Sequence, residues 1–243
     1  TPEMITRCGL RWYKNRVVVN YDMDAKDPVD ALPLENADGT RSMLTMCYVT
    51  SGRFLLGRSF SQLSQQQLDD LSRTFPYHTT AQSARPLDAF NENVTYPKIY
   101  DFKIDPAWHQ LTFYNYNLDS ERKELNFIEV ALGRTENEGG LALDPEKKYY
   151  AYDFWNDKFL GTFDGGGILR QELRPGEARM ISIHEKQSVP QFISTDRHIM
   201  QGYLDLKSCS WEAEQNRLIG KSEVIKDEPY SVIIALNGKH PLS

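Results

Sequence analysis

The stretch Arg85-Pro86-Leu87-Asp88-Ala89-Phe90 marks the point at which the pattern of this 243-residue sequence changes. Before it, the longer apolar segments have helical spacing and are joined by short β-branched or apolar runs. After it, short runs of alternating apolar and polar residues are separated by turns, which is typical of antiparallel sheets. The change predicts two regions, residues 1–92 and residues 93–243.

The first region is predicted to alternate strand, helix, strand and helix. Residues 16–20 form a β-branched run typical of a buried strand, and residues 35–39 read as a turn before a helix at 42–50. Residues 54–57 are a short apolar strand, and residues 64–76 combine a capping box with a terminal proline. This order predicts a βαβα unit with a parallel sheet. Two strands cannot close a barrel, so we expect the region to need further strands or to pack on the second region.

The second region is predicted to be an antiparallel β-sandwich, because several of its runs alternate with period two and turns recur between them. Ile181 and Ile183, for example, oppose Ser182 and His184. The segment Asp164-Gly165-Gly166-Gly167 reads as a loop between strands. The predicted strands are 98–104, 110–116, 125–132, 148–155, 158–163, 178–184, 203–210, 217–224 and 230–236.

Composition restricts the class of protein. The chain carries a net charge of −6 and is 40% hydrophobic and 26% charged, values typical of a globular protein. This charge offers no basic stripe to neutralise phosphates, so no nucleic-acid partner is expected. No apolar run is long enough to cross a bilayer, so no membrane partner is expected either.

No cofactor or metal is expected from the sequence. Cys8, Cys47 and Cys209 lie far apart and show neither a disulfide framework nor a metal-ligand spacing, so they are interpreted as buried free thiols. No calcium loop of the Asp-x-Asp-x-Asp-Gly kind is present. The chain opens Thr1-Pro2-Glu3 without an initiator methionine, so we expect it to derive from a longer protein.

Two polar groups of residues are candidate sites. Asp22 and Asp24 directly follow the predicted strand at 16–20, which is where barrel enzymes place polar site residues, although a solvated turn has the same pattern. The cluster Thr195-Asp196-Arg197-His198 could be a charge relay or a ligand site. It is better interpreted as a buried Asp–Arg pair with His198 as a hydrogen-bond donor, because no nucleophile motif accompanies it.

Several of these segments, in this order, resemble the α-galactosidase-like (melibiase-type) glycoside hydrolases. Asn20-Tyr21-Asp22-Met23-Asp24 resembles the Asp-Pro-Asp segment late in their barrel, and Arg85-Pro86-Leu87-Asp88 resembles the exit from it. Residues 41–60 and 64–76 resemble the helix, final strand and last helix between those points. In the C-terminal sandwich of that group, residues 149–160 resemble a strand pair, and residues 195–202 resemble an Arg-His…Gln-Gly stretch.

The resemblance implies the end of a (β/α)8 barrel followed by a sandwich, in an enzyme that hydrolyses terminal α-linked sugars with retention. In that group one aspartate is the nucleophile and another the acid/base. No segment of this chain matches the strand that carries the nucleophile, so no catalytic residue is assigned. The resemblance implies that Asp22 and Asp24 line the mouth of a carbohydrate site, framed by Arg11, Trp12 and Tyr21. The missing barrel portion, or a second copy of the chain, is the expected partner.

Two other functions stay open. A non-catalytic carbohydrate-binding or accessory module would expose aromatic rings on one face of the sandwich. The other possibility is a purely structural protein or a fragment with no activity of its own, and large exposed apolar area in the first ninety residues would favour the fragment. The compartment is not readable, although a glycosidase favours a periplasmic or extracellular one. The aromatic residues that decide between these functions are Tyr96, Trp108, Tyr114, Tyr116 and Trp155, with Trp155 and Trp211 predicted to lie in the core.

Overall fold

In this computed structural model, the helices precede most of the strands along the chain. The structure describes residues 9–20, 37–49, 59–77, 80, 82–92, 94, 96–116 and 125–238. The α-helices among these residues are α1 (Ala37–Val49) and α2 (Gln65–Ser72). The strands are β1 (Arg85–Pro86), β2 (Ile99–Asp105), β3 (Trp108–Tyr114), β4 (Asn126–Ala131), β5 (Lys148–Asp153), β6 (Lys158–Asp164), β7 (Ile168–Leu173), β8 (Ala178–Glu185), β9 (Gln191–Thr195), β10 (Leu206–Glu212), β11 (Arg217–Ser222) and β12 (Val232–Ala235).

An antiparallel sheet with the order β1-β2-β3-β8-β5-β6 forms the centre of the molecule. Its two middle strands pair along their whole length, from Trp108 opposite His184 to Tyr114 opposite Ala178. Three two-stranded units, β4–β7, β9–β12 and β10–β11, complete the strands. Nearly every residue of β3 and β8 is buried, so this sheet is covered on both faces rather than on one.

The first face of the sheet packs against β4–β7 and forms a sandwich core. Ile181 and Ile183 point into this core, whereas Ser182 and His184 point to the opposite face, so the predicted period-two alternation and the sandwich are confirmed. The core consists of Leu87, Ile99, Leu111, Phe113, Ile128, Val130, Leu132, Leu141, Leu143, Tyr149, Ala151, Leu169, Leu173, Ile181 and Ile183.

The second face of the sheet is covered by helix α1. The core there joins Met46, Tyr48 and Val49 of the helix to side chains of β2, β3 and β8. Two hydrogen bonds fix the helix in place: Ser42 Oγ donates to the carbonyl of Gly176 at 2.5 Å, and Trp155 Nε1 donates to Thr45 Oγ1 at 2.7 Å. The first region therefore packs on the second, which is one of the two arrangements that the sequence predicted.

Both predicted helices exist, and one begins earlier than expected. Helix α2 has the predicted capping box, in which Gln67 N donates to Ser64 Oγ at 3.2 Å and Ser64 N donates to Gln67 Oε1 at 2.8 Å. Helix α1 starts at Ala37 rather than at Ser42, so the turn predicted at 35–39 is wrong over residues 37–39. Asp38 lies in the first turn of the helix, where a carboxylate interacts favourably with the free amide groups.

The predicted buried strand at residues 16–20 is wrong. These residues turn back on the 3-10 helix Trp12–Lys14, and Val17 and Val18 are 69% and 73% exposed. A β-branched run becomes a buried strand only beside another strand, and the described residues place no parallel neighbour beside this one. The segment is instead attached by Asn15, whose side chain donates to Ser83 Oγ at 2.8 Å. The strand predicted at 54–57 lies outside the described residues.

Two strands of the second region were missed, and one begins three residues later than predicted. Strands β7 and β9 had not been predicted, and the strand expected from Tyr203 begins at Leu206. The segment Gly165-Gly166-Gly167 joins β6 to β7 as the predicted loop. A side chain at Gly165 would lie 1.9 Å from the carbonyl oxygen of Asp144, so only glycine fits this tight turn.

Arg41 connects the two helices to the sheet. Its guanidinium donates to both carboxylate oxygens of Asp70, from Nε at 2.9 Å and from Nη2 at 3.1 Å. The same group lies 5.1 Å from the ring centroid of Trp155 and donates to its carbonyl oxygen. The Asp70 side chain is only 2% exposed, so Arg41 supplies its counter-charge away from solvent.

Replacing Arg41 is expected to destabilise the chain far more than breaking a surface ion pair. Arg41→Met leaves the Asp70 carboxylate buried without its counter-charge, which should lower the free energy of unfolding by about 2–4 kcal/mol in urea denaturation. Arg170→Met is the matched control, because Arg170 forms a pair with Glu129 in which both side chains are at least half exposed. That variant should change the free energy of unfolding by less than about 1 kcal/mol. Equal effects of the two variants would contradict a connecting role of Arg41.

Candidate functional site

Only part of the predicted sugar site can be placed. Tyr21, Asp22 and Asp24 lie outside the described residues, so their arrangement stays a prediction. Trp12 is half-buried in a 3-10 turn, with the guanidinium of Arg85 lying 5.8 Å from its ring centroid. Arg11 is exposed at the start of the same turn, where its carbonyl oxygen accepts from Lys14 N at 2.9 Å. The structure thus brings Trp12 to the first strand of the sheet.

On the surface next to Trp12, the carboxylate of Glu136 is paired with two cations. Glu136 accepts from Arg85 Nη1 at 2.8 Å and from Lys103 Nζ at 3.0 Å. The hydrogen bond from Lys103, joined by the positive charges of Lys103 and Arg85, lowers the pKa of Glu136. Because each cation already faces this carboxylate, the cluster holds β1 and β2 against the loop at 136–138 and presents no group suited to general acid–base catalysis.

The cluster Thr195-Asp196-Arg197-His198 has a structural role. His198 is fully buried, its Nδ1 accepts from Met200 N at 3.0 Å, and its Nε2 lies 3.0 Å from the carbonyl oxygen of Pro76. Asp196 accepts from Ser231 N, and Arg197 Nε is buried without a hydrogen-bond partner, so the structure does not support the predicted Asp–Arg pair. Burial lowers the pKa of His198 to about 4, so the ring is neutral and joins the segment after α2 to the sheet.

A buried chain of amides lies next to His198. Gln201 Nε2 donates to Gln110 Oε1 at 2.9 Å, while Gln201 Oε1 accepts from Ser194 Oγ at 3.0 Å. Gly202 follows with φ at +99°, and a side chain there would lie 2.3 Å from the ring of Phe192. The Gln-Gly pair picked out in the sequence therefore fixes the position of Phe192.

Phe192 belongs to a cleft of about 370 Å³ between the end of the main sheet and the β10–β11 unit. Three of its rings contact one another: the centroid of Trp108 lies 4.9 Å from that of His184 and 5.8 Å from that of Phe192. Trp108 Nε1 donates to Ser182 Oγ at 3.2 Å, which fixes the indole ring. The cleft is lined by Asp105, Ala107, Trp108, His184, Glu185, Gln187, Pro190, Gln191, Phe192, Leu206, Ser208, Cys209, Ser210, Trp211 and Leu218.

The cleft has a neutral, desolvated inner wall. Burial lowers the pKa of His184 to about 3, and a hydrogen bond to the backbone of Ile193 only partly opposes this. Burial also raises the pKa of the Cys209 thiol, which is free, as predicted, but only half-buried. Glu185, on the rim, forms an ion pair with Lys147 at 3.0 Å.

The aromatic residues named from the sequence separate into core and cleft. Trp155 is buried, which confirms its predicted place in the core. Tyr114 is also buried, whereas Tyr96 and Tyr116 are half-buried. Trp211 was predicted to lie in the core but is half-exposed and lines the cleft, because among the described residues β10–β11 is a separate two-stranded unit rather than part of the main sheet. Sequence reasoning missed His184 and Phe192 as cleft residues, since each follows the pattern of an ordinary buried strand.

No group of three or more His, Cys, Asp or Glu residues arranged to hold a metal ion occurs in the part of the chain that the structure describes. Within the same residues, no helix is both long and apolar enough to span a membrane.

An antiparallel sandwich preceded by helices that pack on its main sheet is the fold of the C-terminal part of α-galactosidase-like glycoside hydrolases. Alpha-galactosidase I from Mortierella vinacea has this fold, with a TM-score of 0.55 and 10% identity over 74% of this chain and 43% of that chain. The α-galactosidase from Saccharomyces cerevisiae matches with a TM-score of 0.56 and 9% identity over 75% of this chain and 51% of its own.

A GH27 β-L-arabinopyranosidase from Geobacillus stearothermophilus, solved in complex with arabinose, matches with a TM-score of 0.52 and 15% identity, over 77% of this chain and 43% of its own. The chain thus spans about half the length of these solved structures. No protein-family model and no curated protein matches the sequence. At such low identities the likeness describes the fold.

The two neutral histidines are expected to make stability depend on pH. His184 and His198 have pKa values of about 3 and about 4 in the folded chain against an ordinary 6.5, so the unfolded chain binds more protons below pH 6.5. The free energy of unfolding should therefore fall as pH decreases from 6.5 towards 4, by up to about 1.4 kcal/mol per pH unit for each ring.

Urea denaturation at several pH values tests this expectation. His198→Asn keeps an acceptor for Met200 N but cannot take up a proton, so its stability should vary less steeply with pH. Ile199→Val is the control, because it removes a buried methyl group and should lower stability by about 1 kcal/mol at every pH without changing the slope. A slope for His198→Asn equal to that of the unchanged chain would contradict the assignment.

Proposed function

We propose that this chain is the C-terminal portion of a retaining α-glycosidase of the α-galactosidase-like type, which hydrolyses terminal α-linked sugars. The observation that carries the proposal is the fold it shares with two α-galactosidases, each of which is about twice as long as the matched part. In this proposal, residues 1–92 complete a (β/α)8 barrel and residues 93–243 form the domain that supports it. The nucleophile lies on polypeptide that this chain does not contain.

The surface of the first region supports a larger assembly. Leu10, Tyr13, Val17, Val18 and Val19 are between 42% and 73% exposed, which is unusual for large apolar side chains so close in sequence. An apolar surface of this kind marks a contact with another polypeptide. We propose the missing barrel portion as that partner, with a second copy of the chain as the alternative.

Retaining hydrolysis needs two carboxyl groups about 5 Å apart on either side of the scissile bond. In this proposal neither belongs to the described residues. Asp22 and Asp24 accept hydrogen bonds from sugar hydroxyls at the mouth of the barrel, and Arg11, Trp12 and Tyr21 frame them. These two carboxylates orient the substrate and take no part in bond cleavage.

A second function is favoured by the aromatic cleft. Trp108 and Trp211 are two half-exposed rings on one surface of the sandwich, which is the feature expected of an accessory carbohydrate-binding module. This function needs no catalytic residue, so it applies to the chain alone as well as to a complete enzyme.

The mass of the natural protein and its activity test the first proposal. A natural protein about twice as long should hydrolyse a nitrophenyl α-galactoside, whereas the 243-residue chain alone should release no product above buffer. A natural protein of the same length as this chain would overturn the proposal and leave the accessory module.

In the longer protein, Asp22→Asn and Asp24→Asn test the sugar site. Each removes a charged hydrogen-bond acceptor, which should lower kcat/KM by roughly 10- to 100-fold, mainly through KM. Asp164→Asn is the control, because that carboxylate is 71% exposed on a surface strand and pairs only with the exposed Lys148 in the described ion pair. A loss of kcat at unchanged KM would contradict a purely substrate-binding role for Asp22 and Asp24.

A further inference from the structure

We propose that the cleft between the main sheet and β10–β11 binds a neutral pyranose sugar, with the rings of Trp108 and Trp211 as its stacking surfaces. The inference rests on the second proposed function, binding of carbohydrate by the sandwich, and narrows it to one site and one class of ligand. It requires no catalytic residue and no contact with the first region.

The size and lining of the cleft suit a small ligand. Its volume of about 370 Å³ lies within the range of small-molecule sites, and its lining combines aromatic rings with polar side chains. Four aromatic side chains, Trp108, His184, Phe192 and Trp211, belong to the lining. A pyranose ring has an apolar face of C–H groups that packs on an indole, and hydroxyl groups around its edge.

The aromatic wall is already fixed in position. Trp108 is held by its hydrogen bond to Ser182 and by contacts with His184 and Phe192, and Phe192 is held by the close approach of Gly202. A rigid wall of this kind loses little conformational entropy when a ligand binds. The neutral ring of His184 completes this wall through its contacts with Trp108 and Phe192.

The rim supplies groups that pair with hydroxyls. Ser208, Ser210 and Gln187 are exposed along the cleft and can both donate and accept, while Asp105 adds a carboxylate. Gln191, by contrast, uses its amide internally, because its Nε2 donates to Glu185 O and its Oε1 accepts from Gln187 N. The free rim groups are therefore those of β10 and of the loop before β9.

The charge of the cleft disfavours an anionic ligand. Among the described residues that line the cleft there is neither Lys nor Arg, so phosphate or carboxylate ligands would find no counter-charge. Glu185 is neutralised by Lys147 at 3.0 Å. Asp105 uses one carboxylate oxygen to accept from Ala107 N at 2.7 Å, which leaves the other available to a hydroxyl.

Titration of the full chain with methyl α-D-galactopyranoside tests the proposal, with tryptophan fluorescence and ligand-observed NMR as readouts. Binding in the millimolar range is expected, and Trp211→Ala should weaken it at least about fivefold because a stacking ring is lost. Ser210→Gln, at an exposed position on the rim, should weaken binding by filling the cleft and keeps the test valid if Trp211→Ala fails to fold. Phe127→Ala is the control, because this ring is 63% exposed on β4, away from the cleft.

The results of this titration distinguish failure of the cleft as the binding site from failure of the proposal that the sandwich binds carbohydrate. Binding that is weakened by Trp211→Ala and Ser210→Gln but not by Phe127→Ala supports the site. Sugar binding that none of the cleft variants changes would overturn this site while leaving the accessory module standing. No binding of the glycoside, or preferential binding of tetramethylammonium chloride as a cationic probe for an aromatic cage, would overturn the pyranose assignment itself.

Discussion

Burial of both faces of the six-stranded sheet is the constraint on which the rest of the structure depends. Strands β3 and β8 carry large apolar side chains towards β4–β7 and buried side chains towards helix α1, so neither layer alone could cover them. The helix is therefore part of the sandwich core, and the two regions read from the sequence form one continuous hydrophobic unit. The Arg41–Asp70 pair and the Trp155–Thr45 hydrogen bond set the position of that helix.

Polar groups buried on the helix-facing side of the sheet explain the cluster around His198, for which the sequence favoured a structural role over a charge relay. Leaving such a group without a hydrogen-bond partner costs about 1–3 kcal/mol. His198 forms hydrogen bonds with the main chain of Pro76 and Met200, and the side chain of Gln201 donates to that of Gln110. These buried, uncharged side chains hold the strands in position. Because burial keeps the ring of His198 neutral, its protonation at low pH destabilises the fold.

Two surfaces of the described residues are the candidates for function. The first is the apolar surface around Tyr13, Val17 and Val18, which suits a further polypeptide such as the rest of a barrel. The second is the aromatic cleft beside β10–β11, which suits a small neutral ligand. The two surfaces are independent, because the residues of the first come from the segment at 9–20 and those of the second from the sandwich.

The sequence alone determined the local features: the capping box at Ser64, the alternation in β8, the glycine loop before β7 and the order of segments that resembles an α-galactosidase-like enzyme. These depend on neighbours within a few residues or on period-two burial, so they are readable without coordinates. Only the tertiary structure decided that residues 16–20 turn instead of forming a strand, that His198 is a buried connector, and that Trp211 faces a cleft. Each of these depends on distant elements: the described residues place no parallel strand beside residues 16–20, His198 lies against the carbonyl of Pro76, and Trp211 belongs to the separate two-stranded unit β10–β11.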